Sequence, residues 1–223
     1  MTNLPEASAA QSEFKDQRSE IGLPYPLPVM VESLLFVASE PVPVMQLAEA
    51  GRLDLDADVR RYVPGFPRQA WPITCRQLLS HLGGIRHYRG NEWGSGRRYA
   101  SVLESLDVFK DDPLVHEPGT RFLYSTHGYT LLGAVVEAVA GRRFVEHLHE
   151  SVFTPAGMTS TRDDDAREVL EGRAQGYERA ADGRLRNSAP SDTSSKVHGG
   201  GHVATAADMA RFGTAFLEGG HAR

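Results

Sequence analysis

A single cysteine in 223 residues, Cys75, leaves nothing for an internal disulfide to join. The fold therefore does not depend on an oxidising compartment. Cys75 lies in an amphipathic helical stretch and reads as a small packing residue rather than a nucleophile. Basic charge is scarce as well: a net charge of −5 leaves no electrostatic footprint for nucleic acid. No apolar run is long enough to span a bilayer, since the best candidate, Val29 to Ala38, is short and carries Glu32. The opening MTNLPEASAAQSEFKDQRSE has no apolar centre of the secretory kind, so the chain as written points to the cytoplasm. There is neither a phosphate loop nor a Gly-x-Gly-x-x-Gly after a strand, which removes nucleotide binding. His-Glu-x-x-His is absent too. The closest histidine pairs, His147 with His149 and His198 with His202, have no clustered cysteine or carboxylate ligands, so neither metal nor other cofactor is expected.

What remains is ordinary for a water-exposed globular chain: 40% hydrophobic and 24% charged residues can build a core and a charged surface. Residues 1–40 read as an atypical, partly disordered N-terminal segment, ending in the proline-rich GLPYPLP and an apolar stretch. From 41 to 223 the pattern is helix-rich. Met45 to Ala50 is helical and stops at Gly51, while prolines 41 and 43 leave no uninterrupted helix starting at Ser39. Leu53 to Tyr62 places acids early and Arg60 and Arg61 late, matching a helix dipole. Pro64 to Pro67 is a turn. Thr74 caps a helix through His81, ended by Gly83-Gly84. Another is expected over Tyr99 to Val108, with Tyr99, Val102, Leu103 and Leu106 inward. Phe144, Leu148 and Val152 mark a helix closed by Pro155, and Asp182-Gly183 marks a hairpin. Thr205 and Asp208 form a capping box before Met209, Phe212 and Phe216.

The stretch from Glu117 to Gly141, EPGTRFLYSTHGYTLLGAVVEAVAG, is the most informative. A turn at Glu117-Pro118-Gly119 leads into an extended Phe122 to Tyr124 and then a helix capped by Ser125 or Thr126. Leu131, Leu132, Val135, Val136 and Val139 recur at helical spacing, and Gly141 supplies the left-handed stop. Tyr124 thus stands beside a helix N-terminus, where a phenolate costs less than elsewhere.

Tyr-Ser-Thr before an apolar helix resembles the Tyr-x-Asn element of serine β-lactamases of the class C type, penicillin-binding proteins and related esterases. Three further stretches share the resemblance in family order: Leu47 to Pro67, Ile73 to Tyr88 and Gly199 to Gly213. The wording is nearest the mitochondrial branch of the family and its bacterial relatives. The resemblance implies an α/β (α+β) β-lactamase/transpeptidase-like fold, with a helical subdomain at about residues 54–160. The antiparallel sheet that should face it is mostly unaccounted for. It also implies a serine hydrolase acting on a small amide, ester or peptide through an acyl-enzyme.

Carried over residue by residue, the family site gives Tyr124 as general base or proton relay. Thr126 stands where an asparagine amide is usual, and Gly199, Gly200 and Gly201 allow close backbone approach beside the cleft. His81, in the loop after Ser80, is implied to fix that loop. The family's Ser-x-x-Lys should lie about seventeen residues before Gly51; that position holds Leu34, with Val37 in the lysine place. Ser39 is the surviving nucleophile candidate, followed by Glu40, Pro41 and Val42. Lysine is rare, at 15, 110 and 196, and the one literal Ser-x-x-Lys, Ser12 to Lys15, sits in the polar tail. The strand carrying Lys/His-x-Gly is not found. Two readings follow: a serine hydrolase, or a catalytically inactive member whose exposed apolar face associates with itself or a partner.

Overall fold

The structure, a computed structural model, describes residues 41–217; Ser39 and the rest of the expected N-terminal segment lie outside that range. The first helix, α1 (Pro41–Glu49), begins four residues before the expected Met45. Prolines 41 and 43 both fall in its first turn, where a missing N–H costs no intrahelical bond. Val44 and Leu47 are buried. The helix closes at Gly51, φ +68°, whose N–H donates to Ala48 O while Arg52 N donates to Leu47 O, a left-handed stop of the Schellman kind.

Leu53 to Tyr62 does not form the expected helix. Only Val59–Arg61 makes a 3₁₀ turn. The acids that matched a helix dipole instead bond locally: Asp54 Oδ1 accepts from Asp56 N at 3.0 Å, and Asp58 Oδ1 from Arg60 N at 2.9 Å. Such Asx turns compete with helix formation. The backbone here pairs across to the next segment, Val59 N donating to Ile73 O and Arg76 N to Leu55 O.

Helix α2 (Cys75–Leu79) opens on a complete capping box, Thr74 with Gln77. Cys75 is fully buried and its thiol is pushed up to about 12 by burial, with Asp54 adding to the shift, which fits packing rather than nucleophilic attack. The stop of α2 is His81 rather than Gly83-Gly84. His81 takes φ +56°, His81 N donates to Leu78 O, and Leu82 N to Gln77 O. Helix α3 (Val102–Leu106) buries Val102 and Leu106 with Tyr99 beside it, but Leu103 faces solvent at 58% exposure, against expectation. Val102, Ser105 and Leu106 share the inward face, and Leu103 falls outside it.

Helix α4 (Thr126–Ala140) is the centre. Ser125 caps it, accepting from Gly128 N, and Gly141, φ +73°, ends it. Every residue from Thr126 to Val136 is buried, so the helix is enclosed rather than amphipathic. It is covered by α1, α2, α3, the following α5 (Phe144–Leu148) and the 3₁₀ turn Val197–Gly199. After α5, a π turn, His149–Phe153, buries Val152 and Phe153 ahead of Pro155.

Among the described residues strand is sparse. β1 (Arg162–Asp163) pairs antiparallel with β4 (His202–Val203), Arg162 opposite Val203; β2 (Tyr177–Arg179) and β3 (Leu185–Asn187) form the expected hairpin, exposed throughout. In α6 (Ala206–Leu217), Thr205 Oγ accepts from Asp208 N, but the Asp208 carboxylate does not complete the box. It is wholly buried and accepts from Ser160 N, Thr161 Oγ and Arg211. Burial opposes its charge, yet these three donors hold its carboxyl below the usual range.

Candidate active site at the start of α4

Tyr124 sits at a corner built by two chain reversals. The left-handed turn at His81 presents its carbonyl to Leu123 N at 2.9 Å, so Phe122 to Tyr124 runs beside it, in neither helix nor sheet. The Tyr124 ring lies between two imidazoles, 4.6 Å from His81 and 5.1 Å from His87 by ring centroid, and is 44% exposed. His81 is buried among Phe122, Tyr124 and Tyr129, and its Nδ1 accepts from Ser125 N at 3.3 Å. That is the loop-fixing role the sequence suggested. Burial, with the charge of His87 adding, lowers its pKa.

Thr126 is buried. Its N–H donates to His87 Nδ1 at 3.3 Å. Burial pushes Tyr88 up to about 12. Beneath these residues lies Arg86, nearly enclosed and fully engaged. Its guanidinium donates to both Glu92 oxygens at 2.7 and 3.0 Å, to Asp112 at 2.6 Å, and to the carbonyls of His87 and Val108. Ser125 Oγ in turn donates to Arg86 O at 2.8 Å, tying the cap of α4 to this segment. Burial would raise Glu92, but Arg86, Arg89 N and His127 outweigh it and bring it to about 2. His127, stacked on Phe109 at 4.6 Å, is lowered by burial to about 4 and stays neutral at pH 7.

The three glycines sit on a loop docked along α4. Thr130 Oγ donates to Ser195 O at 3.0 Å, and the buried His198 lies against Gly133 and Phe144. Gly199 ends the 3₁₀ turn, while Gly200 takes φ +129° and is exposed. Gly201 is buried; a Cβ there would stand 2.8 Å from Val197 Cα, so its close approach is to its own loop. Ser195 also lines a cavity of about 280 Å³ with Tyr88, Asn91, Glu92, Tyr99 and His127. Tyr124 and the three glycines do not line this cavity.

Ser39 lies outside the described residues. Lys110 is engaged by Asp107, and Lys196 donates to Trp93 O at 2.6 Å. Among the described residues no three His, Cys, Asp or Glu side chains group as metal ligands. Sequence reasoning missed Arg86, His87, Tyr88, Glu92 and His127. The available signal was the run Arg86-His87-Tyr88, one residue after the pair Gly83-Gly84, three chemically active side chains in a segment read only for its loop.

A helix-centred domain with an accessible tyrosine at the mouth of its central helix is the class that the fold and corner define. Residues 42–223 match the Beta-lactamase family, and the chain belongs to it, a family of serine hydrolases. It is 31% identical over 247 residues to human mitochondrial serine beta-lactamase-like protein LACTB, covering 80% of this chain and 45% of that protein. The chain therefore spans about half the length of that relative. Among solved structures it is similar to a penicillin binding protein from Bacillus halodurans (28% identity, TM-score 0.69, 84% of this chain and 57% of that one). It is also similar to the octameric penicillin-binding protein homologue from Pyrococcus abyssi (25%, TM-score 0.67, 85% and 44%). Among the described residues no helix is long and apolar enough to cross a membrane.

Proposed function

We propose that this chain is a serine hydrolase of small amides, esters or peptides, with Tyr124 as its proton-handling residue and Ser39 as its nucleophile. The carrying observation is the Tyr124 corner: an accessible phenol held between His81 and His87 at the N-terminus of α4. In this reading the Tyr124 oxygen accepts the Ser39 hydroxyl proton while giving up its own phenolic proton, as Oγ attacks the substrate carbonyl. The proton then passes to the departing amine or alkoxide, leaving an acyl-serine. Water repeats the sequence and releases the acid. Residues 41–223 are the proposed partial β-lactamase-related domain, with its helical part at about 54–160. Thr126 and the exposed Gly200 between Gly199 and Gly201 are the proposed substrate-contacting edge.

Hydrolysis of p-nitrophenyl esters and amino-acid anilides by the wild type, Tyr124→Phe and Ser39→Ala tests this. Turnover that both substitutions abolish supports it; turnover that neither changes refutes it. The second reading, a binding member without catalysis, is favoured by Val42 standing where Ser39-x-x would need a lysine. An octameric homologue supports self-association as its form, and sedimentation of an inert chain as a defined oligomer would favour it.

A further inference from the structure

The first amides of α4 are consumed in an unusual way. A helix N-terminus leaves its leading N–H groups without intrahelical partners. Here Gly128 N goes to the Ser125 hydroxyl, but Ser125 N and Thr126 N go to the ring nitrogens His81 Nδ1 and His87 Nδ1. An Nδ1 that accepts carries no proton, so each imidazole is neutral and keeps its hydrogen on Nε2. Protonation puts a hydrogen on Nδ1 and turns an acceptor aimed at an N–H into a second donor.

We propose that His87 is a pH-sensitive positioning residue for the Tyr124 corner: its neutral ring latches the first turn of α4 through Thr126 N, and its protonation releases that turn and shifts Tyr124. His87 is the responsive member of the pair because it is partly exposed, whereas His81 is shut in by Phe122, Tyr124 and Tyr129. The groups facing His87 are few. Arg86 donates to its carbonyl, the Tyr88 and Tyr124 rings lie at 4.5 and 5.1 Å, Glu92 acts on it through charge, and its own charge in turn lowers His81 and His127. Arg86 is already matched by Glu92 and Asp112, so the local field does not forbid a cation. Burial lowers the His87 pKa and Glu92 opposes the shift, so the latch opens on the acid side of the ordinary histidine value.

Its consequence for activity rests on Tyr124 being the reacting phenol, but the latch itself does not, and the experiment separates the two. Amide exchange at Thr126, with long-range 1H–15N spectra of the His87 ring, is followed from about pH 8 to about pH 4.5. The proteins are the wild type, His87→Asn and His87→Phe. Asparagine places an oxygen where Nδ1 stood and does not titrate; phenylalanine offers no acceptor. The wild type should show an unprotonated Nδ1 at neutral pH. Its Thr126 protection should fall roughly five- to ten-fold on acidification, the scale of one lost cap. His87→Asn should hold protection flat, and His87→Phe should lack it throughout. Protection in the wild type that ignores pH, or that falls equally in His87→Asn, overturns the proposal. Unchanged ester hydrolysis in Tyr124→Phe would sink the proton-handling role of Tyr124 alone and leave the latch standing.

Discussion

Gly133→Ala is the sharpest single probe of how the glycine loop docks on α4. A Cβ at that position would stand 2.1 Å from His198 Cδ2, 2.3 Å from Cγ and 2.7 Å from Cβ. All three atoms belong to the near, stiff end of one side chain. His198 is 4% exposed and backed by Phe144 at 4.9 Å, so the ring has little room to swing away. Overpacking of this kind costs about 1–3 kcal/mol, and contacts this close place it near the top. Replacing a mid-helix glycine by alanine returns about 1 kcal/mol of helix propensity. The net expectation is a loss of about 1–2 kcal/mol. Urea unfolding should register it as a lower midpoint at unchanged slope. His198→Ala removes the obstacle, so the double variant should be more stable than the sum of the two singles by about 1 kcal/mol or more. A Gly133→Ala protein as stable as the wild type, or strict additivity, would refute the docking.

Other tests follow from the same geometry. Arg86→Met removes five donated hydrogen bonds and strands Glu92 and Asp112; because both carboxylates keep some solvent, the loss should sit near about 3 kcal/mol, read by urea unfolding. Acid should destabilise the fold. His198 and His127 are held at about 3 and about 4, below the value of about 6.5 expected in the unfolded chain, so the unfolded state takes up protons first. Stability should drop as pH falls through 6.5, by up to about 1.4 kcal/mol per unit for each histidine. Glu92, lowered to about 2, adds a further loss as pH falls from about 4.5 towards 2. A urea midpoint equal at pH 7.5 and pH 5 would contradict this. Thr74→Ala breaks the complete capping box of α2 and should cost about 1 kcal/mol in the same assay, whereas no change would mean α2 is held by packing alone.

What the sequence made legible were the features whose partners are near in sequence. Ser125 and Gly141 bracket α4, Thr74 and Gln77 open α2, and Asp182-Gly183 turns the hairpin, each through contacts within a few residues. The surroundings of Tyr124, a turn and a capped apolar helix, are also local. The rest depends on distant partners. Asp208 looks like half a capping box, but its carboxylate is claimed by Ser160 and Thr161 across some fifty residues of chain. Asp54 and Asp58 match a helix dipole, yet short Asx turns and pairing to Ile73 win. The Arg86 network joins residues 86, 92, 112 and 127, a spacing with no period for a sequence pattern to show. His81 supplies a left-handed stop usually given to glycine, so the neighbouring Gly83-Gly84 drew the helix end too late.

The most direct test of the central claim is intact mass after incubation with a fluorophosphonate probe, on folded protein, a heat-denatured control and Tyr124→Phe. The account predicts one adduct on the folded protein, mapped to Ser39, absent after denaturation and strongly reduced in Tyr124→Phe. No adduct, or one that forms equally on the denatured chain, would contradict it and leave a non-catalytic member of the family.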